Sequence, residues 1–121
     1  MTVVAFGGMV PHALAAANEL ATENISVEVL DLRSLVPLDK QKILASVKRT
    51  GRLVAVDMAH RTCSAASEVL AIVAEEALWD LKAPLVRVTV PDTHIPFSPP
   101  MEKPLFPNKD SIISGIRRTL E

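Results

Sequence analysis

The sequence predicts a three-layer α/β/α domain, with an open parallel sheet of four strands between two layers of helices. Two observations predict it. Four apolar runs of strand length alternate with four segments whose apolar residues recur at helical spacing, and no repeat or low-complexity segment interrupts them. The runs are nearly continuous in apolar character rather than alternating, as in parallel strands buried on both faces.

The first strand is Thr2 to Phe6, followed by Gly7-Gly8 and a helix in which Val10, Leu14, Ala17 and Leu20 or Ala21 lie on one face. Val27, Val29, Leu30 and Leu32 form the second strand, which Arg33 and Ser34 end. Pro37 fixes the loop, Asp39 is placed to cap the next helix, and Ile43, Leu44 and Val47 give that helix its apolar side. Thr50-Gly51 closes it, because glycine takes the left-handed conformation of a helix C-cap without strain. Leu53 to Asp57 is the third strand, and a long helix is expected from Cys63 to Leu81. Leu85 to Val90 is the fourth strand. The proline-rich stretch Pro91 to Pro107 reads as an extended segment pinned by Ile95, Phe97, Leu105 and Phe106, since a disordered linker lacks such anchors. A last helix carries Ile112, Ile113, Ile116 and Leu120.

A single domain over residues 1–121 accounts for the length, and with 49% apolar residues the chain has material for a core. No apolar run approaches the roughly 20 residues that span a bilayer, and the start does not resemble a signal peptide. No membrane partner is expected, and cytoplasm is the expected compartment. One cysteine, Cys63, excludes an internal disulfide framework. A formal net charge of −1 argues against a general nucleic-acid binder, which presents a basic face to phosphates.

The stretch Glu28-Val29-Leu30-Asp31-Leu32-Arg33-Ser34-Leu35-Val36-Pro37-Leu38-Asp39, followed by Thr50-Gly51-Arg52, resembles the C-terminal domain of the beta subunit of thiamine-diphosphate-dependent 2-oxo acid dehydrogenases. Ala83-Pro84-Leu85-Val86-Arg87-Val88-Thr89 and Ile95-Pro96-Phe97-Ser98-Pro99 extend the likeness over essentially the whole chain. At His60-Arg61-Thr62-Cys63-Ser64 pyruvate-type members carry a glycine-rich run, so this loop is closer to the acetoin-type branch. The expected strand order is second, first, third, fourth. The resemblance implies one further antiparallel edge strand upstream of Thr2, without which the strand around Val27 to Leu32 is an open edge.

Candidate sites are few. Phe6-Gly7-Gly8-Met9 sits where a phosphate-binding turn would lie, yet it lacks the third glycine of the dinucleotide fingerprint and reads as a tight strand-to-helix turn. His12 and His60 follow the first and third strands and so fall at the carboxyl edge, where open α/β sheets bind ligands. A shared crevice is one reading and surface hydrogen bonding the other; His94, among prolines, reads as structural. Asp57, His60 and Cys63 supply too few ligands for a metal site. Cys63 follows Arg61 at a helix start, which favours a reactive thiolate, but no base accompanies it, and it reads as a small packed residue.

The helix after Cys63 carries Ala66, Leu70, Val73 and Ala77 with Val69 and Ile72 beside them, more apolar surface than one covering layer uses. Together with His60, Arg61, Thr62 and Cys63, residues Ala66, Leu70 and Val73 are the expected contact with a second beta subunit, because the resembled family pairs through this domain. Arg117, Arg118 and Glu121 are carried over as a docking surface for the subunit-binding domain of an acyltransferase core.

The resemblance thus implies a noncatalytic assembly domain, a piece of a longer beta subunit that would join an alpha subunit. Thiamine diphosphate and magnesium would belong to that whole enzyme, an oxidoreductase cleaving a 2-oxo acid or acetoin, with no catalytic, cofactor or metal residue here. A eukaryotic source would place it in the mitochondrial matrix. Two other readings stand beside it: a freestanding flavodoxin-like binding module, and the same domain of transketolase or deoxyxylulose-phosphate synthase.

Overall fold

Four parallel strands form one sheet in the order second, first, third, fourth, the predicted order. The computed structural model describes all of residues 1–121 and places β1 at Thr2–Ala5, β2 at Glu28–Asp31, β3 at Leu53–His60 and β4 at Val86–Val90. The helices are α1 (Met9–Ala21), α2 (Lys40–Thr50), α3 (Ala65–Glu76), the single turn α4 (Pro99–Glu102) and α5 (Lys109–Arg117).

The register sets Val3 beside both Val29 and Val54, and Val4 beside Leu30 and Ala55. Side chains alternate across a strand, so the sheet divides the core in two. Val3, Ala5, Val54 and Val56 pack with Met9, Ala13, Ala16 and Leu20 of α1 and with Ile112 and Ile116 of α5. Val4, Leu53 and Ala55 pack on the other face with Ile43 and Val47 of α2 and Ala66, Val69 and Val73 of α3. Local signals set the ends of α2: the Asp39 carboxylate accepts the Lys42 N–H at 3.0 Å. Gly51, at φ 72°, donates its N–H to the Val47 carbonyl at 2.7 Å.

Several expectations are corrected. The buried stripe of α1 is Met9, Ala13, Ala16 and Leu20, while Leu14 is 50% exposed. Small alanines face the sheet and let the helix approach it, so Leu14 lies off the buried side that Leu20 shares with Ala13 and Ala16. The helix expected from Cys63 to Leu81 spans only Ala65–Glu76, capped by the Ser64 side chain, and a separate 3₁₀ turn, Leu78–Asp80, follows it with Trp79 95% exposed. Phe97 is fully exposed rather than an anchor, whereas Ile95, Leu105 and Phe106 are half-buried and Pro107 is buried. Leu120 lies beyond the end of α5 and is exposed. Thr119 is buried in its place, donating its hydroxyl to the Ile116 carbonyl at 2.7 Å and accepting from Arg52 Nε at 2.7 Å.

Gly115 marks the closest approach of α5 to the sheet, because a Cβ there would meet Val88 Cγ2 at 2.6 Å and neighbour Val54 and Val86. Gly115→Ala gains about 1 kcal/mol of helix propensity but overpacks a filled core, which costs about 1–3 kcal/mol. Net destabilisation in urea unfolding is the expected outcome; a stabilised variant would show that α5 can withdraw from β4 freely.

Candidate functional site

At the carboxyl edge of the sheet, the segment from Asp57 to Ser64 leaves β3, and its order comes from side chains. The β3–β4 ladder shifts register between Val56 and His60, so backbone pairing weakens where the loop begins. Asp57, buried at the edge of the core, bridges strand and helix: one carboxylate oxygen accepts the Ala59 N–H at 3.1 Å, the other the Ala66 N–H at 3.3 Å.

Three residues of β4 and the turn after it complete the hold. Arg87 donates from Nη1 to the Arg61 carbonyl at 3.0 Å and to Ser67 Oγ at 2.6 Å. Asp92 accepts from both the backbone N–H of Thr62, at 2.9 Å, and its hydroxyl, at 2.7 Å. These Thr62 hydrogen bonds, side chain first, hold the Asp92 carboxyl below its ordinary range, with the nearby charges of His60 and Arg61 acting in the same direction. The Thr93 carbonyl meets His60 Nε2 at 3.0 Å, and because a carbonyl only accepts, this nitrogen carries the proton. What the segment presents to solvent is the run from Met58 to Cys63, with His60, Arg61, Thr62 and Cys63 at its turn. Cys63 is thus exposed and at φ 57°, two residues before α3, and not the packed helix-start residue expected.

Other expected site residues are dispersed. His12 is exposed on α1, and neither surface cavity is lined by His12 or His60. Those cavities lie elsewhere, one of about 520 Å³ beside Val29 to Ser34 and one of about 380 Å³ beside Ile25 to Val27. Ala66 and Val73, expected at a subunit contact, are fully buried within the chain's own core, and Leu70 is half-buried. The apolar circumference of α3 is used by β3 and its neighbours, so a contact here has only the loop and the outer rim of the helix. Arg117, Arg118 and Glu121 are all exposed, and Arg117 donates to both carboxylate oxygens of Glu23 at 2.9 Å.

Sequence reasoning missed Arg87, Asp92 and Thr93. A signal existed in Arg87, a charge inside the apolar run Val86 to Val90, which calls for a polar partner. Nothing local announces the pairing of Asp92 with Thr62, 30 residues earlier.

A doubly wound sheet in the order 2-1-3-4, with a polar-braced loop at its carboxyl edge, defines an open α/β domain. Residues 1–112 match the family model described as the transketolase C-terminal domain, and the chain belongs to that family. It is 43% identical over all of its 121 residues to the beta subunit of acetoin:2,6-dichlorophenolindophenol oxidoreductase from Cupriavidus necator, covering 36% of that protein. It is 47% identical over 120 residues, 98% of its length, to the pyruvate dehydrogenase E1 component subunit beta of Leifsonia xyli, covering 35% of it. Among solved structures, a split-gene transketolase described as an inactive β4 tetramer superposes with a TM-score of 0.84 at 28% identity, over 98% of this chain and 37% of that one. The chain therefore spans little more than a third of the length of these relatives.

The thiamine diphosphate and magnesium implied by the resemblance do not fit these residues. The Met9 and Val10 N–H groups at the start of α1 already donate to the Phe6 and Gly7 carbonyls at 2.9 and 3.1 Å, and Pro11 has none to offer. Gly7 is accounted for by its φ of 45°, a left-handed turn conformation that glycine adopts without strain. No three His, Cys, Asp or Glu side chains gather as metal ligands.

Asp92 sets the pH range of the braced loop. Its folded carboxyl is depressed, so its contribution is complete above the ordinary carboxylate pKa and is lost as pH falls through the folded value. Hydrogen exchange should show the Thr62 amide protected at neutral pH, losing protection only in acid, and unprotected throughout in Asp92→Ala. Equal protection in the variant would remove the carboxylate from the hold.

Proposed function

We propose that this chain is a noncatalytic assembly domain of a thiamine-diphosphate-dependent 2-oxo acid or acetoin dehydrogenase beta subunit. In that reading the whole enzyme is an oxidoreductase that cleaves a 2-oxo acid or acetoin and passes the fragment to lipoyl groups. Its place is the cytoplasm, or the matrix of a mitochondrion. The identities of 43% and 47% to dehydrogenase beta subunits, against 28% to the split-gene transketolase, favour the dehydrogenase over transketolase.

One observation carries the assembly role. The loop from His60 to Cys63 is exposed, yet it is fixed by Arg87, Asp92 and Thr93 from a different strand and turn. Ordering an exposed loop costs conformational entropy that no core contact of its own returns, whereas a preorganised surface recovers it when a partner binds. The partner in this reading is a second beta subunit at the loop and at Leu70, with the alpha subunit beyond it. Arg117, Arg118 and Glu121 are all exposed and make up the proposed acyltransferase-docking surface, with Arg117 also paired to Glu23.

Leu70 is only half-buried, so Leu70→Glu alters the rim of α3 without emptying the core, and Arg61→Glu reverses the exposed charge of the loop. Either variant, joined to the remainder of a beta subunit and mixed with the alpha subunit, should reduce assembly in sedimentation while circular dichroism stays native. Unchanged assembly in both would place the contact elsewhere. Calorimetric titration of the chain with thiamine diphosphate and magnesium should show no stoichiometric heat; micromolar binding would end the noncatalytic reading.

A further inference from the structure

The two helices that cover one face of the sheet carry opposite charge. α2 holds Lys40, Lys42, Lys48 and Arg49 and no acidic residue, while α3 holds Glu68, Glu75 and Glu76 and no basic one. They pack side by side on the core layer of Val4, Leu53 and Ala55. No ion pair joins them: Arg49 is bound to Glu28 of β2, and the lysines of α2 and the glutamates of α3 enter none. All of these charged residues are exposed. Charges of both signs are ordinarily interspersed over a surface, so sorting them onto separate helices leaves two fields that a partner of matching layout neutralises. The outward line of each helix is built alike. On α2, Gln41, Ala45 and Lys48 are exposed at the spacing of one helix face, and on α3, Glu68, Ala71 and Glu75 are. An alanine in the middle of each line leaves room for another helix to come close. Both helices also run in the same direction, since each returns from the carboxyl end of one parallel strand to the amino end of the next.

We propose that this face is a contact with a second copy of the chain, in which α2 of each copy lies along α3 of the other. The inference rests on the assembly reading above for its choice of partner and deepens it by naming what meets α3. Charge selects the symmetry axis. A two-fold axis running along the helices, between α2 and α3, sets each cationic helix against an anionic one. An axis across the helices sets α2 on α2 and α3 on α3, and like charges then repel. In the first arrangement the facing helices are parallel. Setting Ala45 opposite Ala71 then brings Lys48 level with Glu75, and Gln41 level with Glu68, to within one residue. Symmetry makes each of these pairings occur twice, and the contact closes on itself as a dimer.

Lys48→Glu and Glu75→Lys alter exposed side chains that pair with nothing in the chain, so both variants should keep a native circular dichroism spectrum. Sedimentation equilibrium of the 121-residue chain, from micromolar to millimolar concentration, should show a monomer–dimer equilibrium that weakens as salt is raised. Each single reversal should weaken it by roughly tenfold or more, because every dimer loses two ion pairs and gains two like-charge contacts. The double variant, Lys48→Glu with Glu75→Lys, should restore it. A monomer throughout the range would overturn the proposal, as would a dimer indifferent to both single reversals or one that the double variant fails to restore. An attraction confined to one chain would lower the melting temperature of the single variants and leave their mass unchanged, and that result overturns it too. The assembly reading fails on a different result, normal assembly of Leu70→Glu and Arg61→Glu. Lost assembly in those two, with no effect of Lys48→Glu, keeps that reading and removes α2 from the contact.

Discussion

Every layer of this domain takes its position from β1. All four residues, Thr2 to Ala5, are fully buried, and each is paired on both sides, to β2 and to β3. The alternation along these residues sends Val3 and Ala5 to the layer of α1 and α5 and Val4 to the layer of α2 and α3. Thr2 is the exception to apolar burial, and it is satisfied: its hydroxyl lies 2.6 Å from Ser46 Oγ and 2.8 Å from Thr50 Oγ1. Ser46 in turn donates to Glu28, which also accepts from Arg49. One polar chain thus ties the amino ends of β1 and β2 to α2. Because a buried hydroxyl without a partner costs about 1–3 kcal/mol, the network fixes where α2 sits along the sheet as well as how it faces it.

The opposite edge is organised on a different principle. At the amino ends of the strands, hydrogen bonds between packed elements fix helix against sheet. At the carboxyl end of β3 the ladder itself loosens, and Arg87, Asp92 and Asp57 replace it with side chain–backbone bonds. The exchange matters because ladder bonds hold a strand straight, whereas side-chain bonds hold a turn in a shape the backbone would not choose alone. Cys63 at φ 57° is one such conformation, held between Thr62, which Asp92 binds, and Ser64, which caps α3.

What the sequence made legible follows from the range of each interaction. Asp39 and Gly51 act within three or four residues, and both helix ends were readable for that reason. The sheet order and the family were readable from the words between Val27 and Asp57 together with the alternation of elements. The rotation of α1 was not, because hydropathy ranks Leu14 above Ala13, while close packing on a sheet favours the alanine. Nor was the end of α3: Ala77, Leu78 and Trp79 continue its composition, yet Ala77 leaves the helical conformation at φ −143° and Leu78 and Trp79 are exposed. The bonds from Arg87 to Ser67 and from Asp92 to Thr62 span 20 and 30 residues, and no window of local pattern contains both partners.

The two edges of the sheet carry unequal exposure, and the inequality has a structural cause. β4 is backed by α5, whose Gly115 brings the helix against Val88, and it sends Arg87 across to the loop after β3. β2 has no such backing beyond α1 and α2. Both cavities open beside it, while none opens beside β4. The charges at its carboxyl end, Asp31 and Arg33, are bonded to each other at 3.0 Å and so shield the edge less than two free charges would. Short length and terminal charge restrain open strands from pairing. Here the strand has only four residues, and its terminal charges are paired with each other.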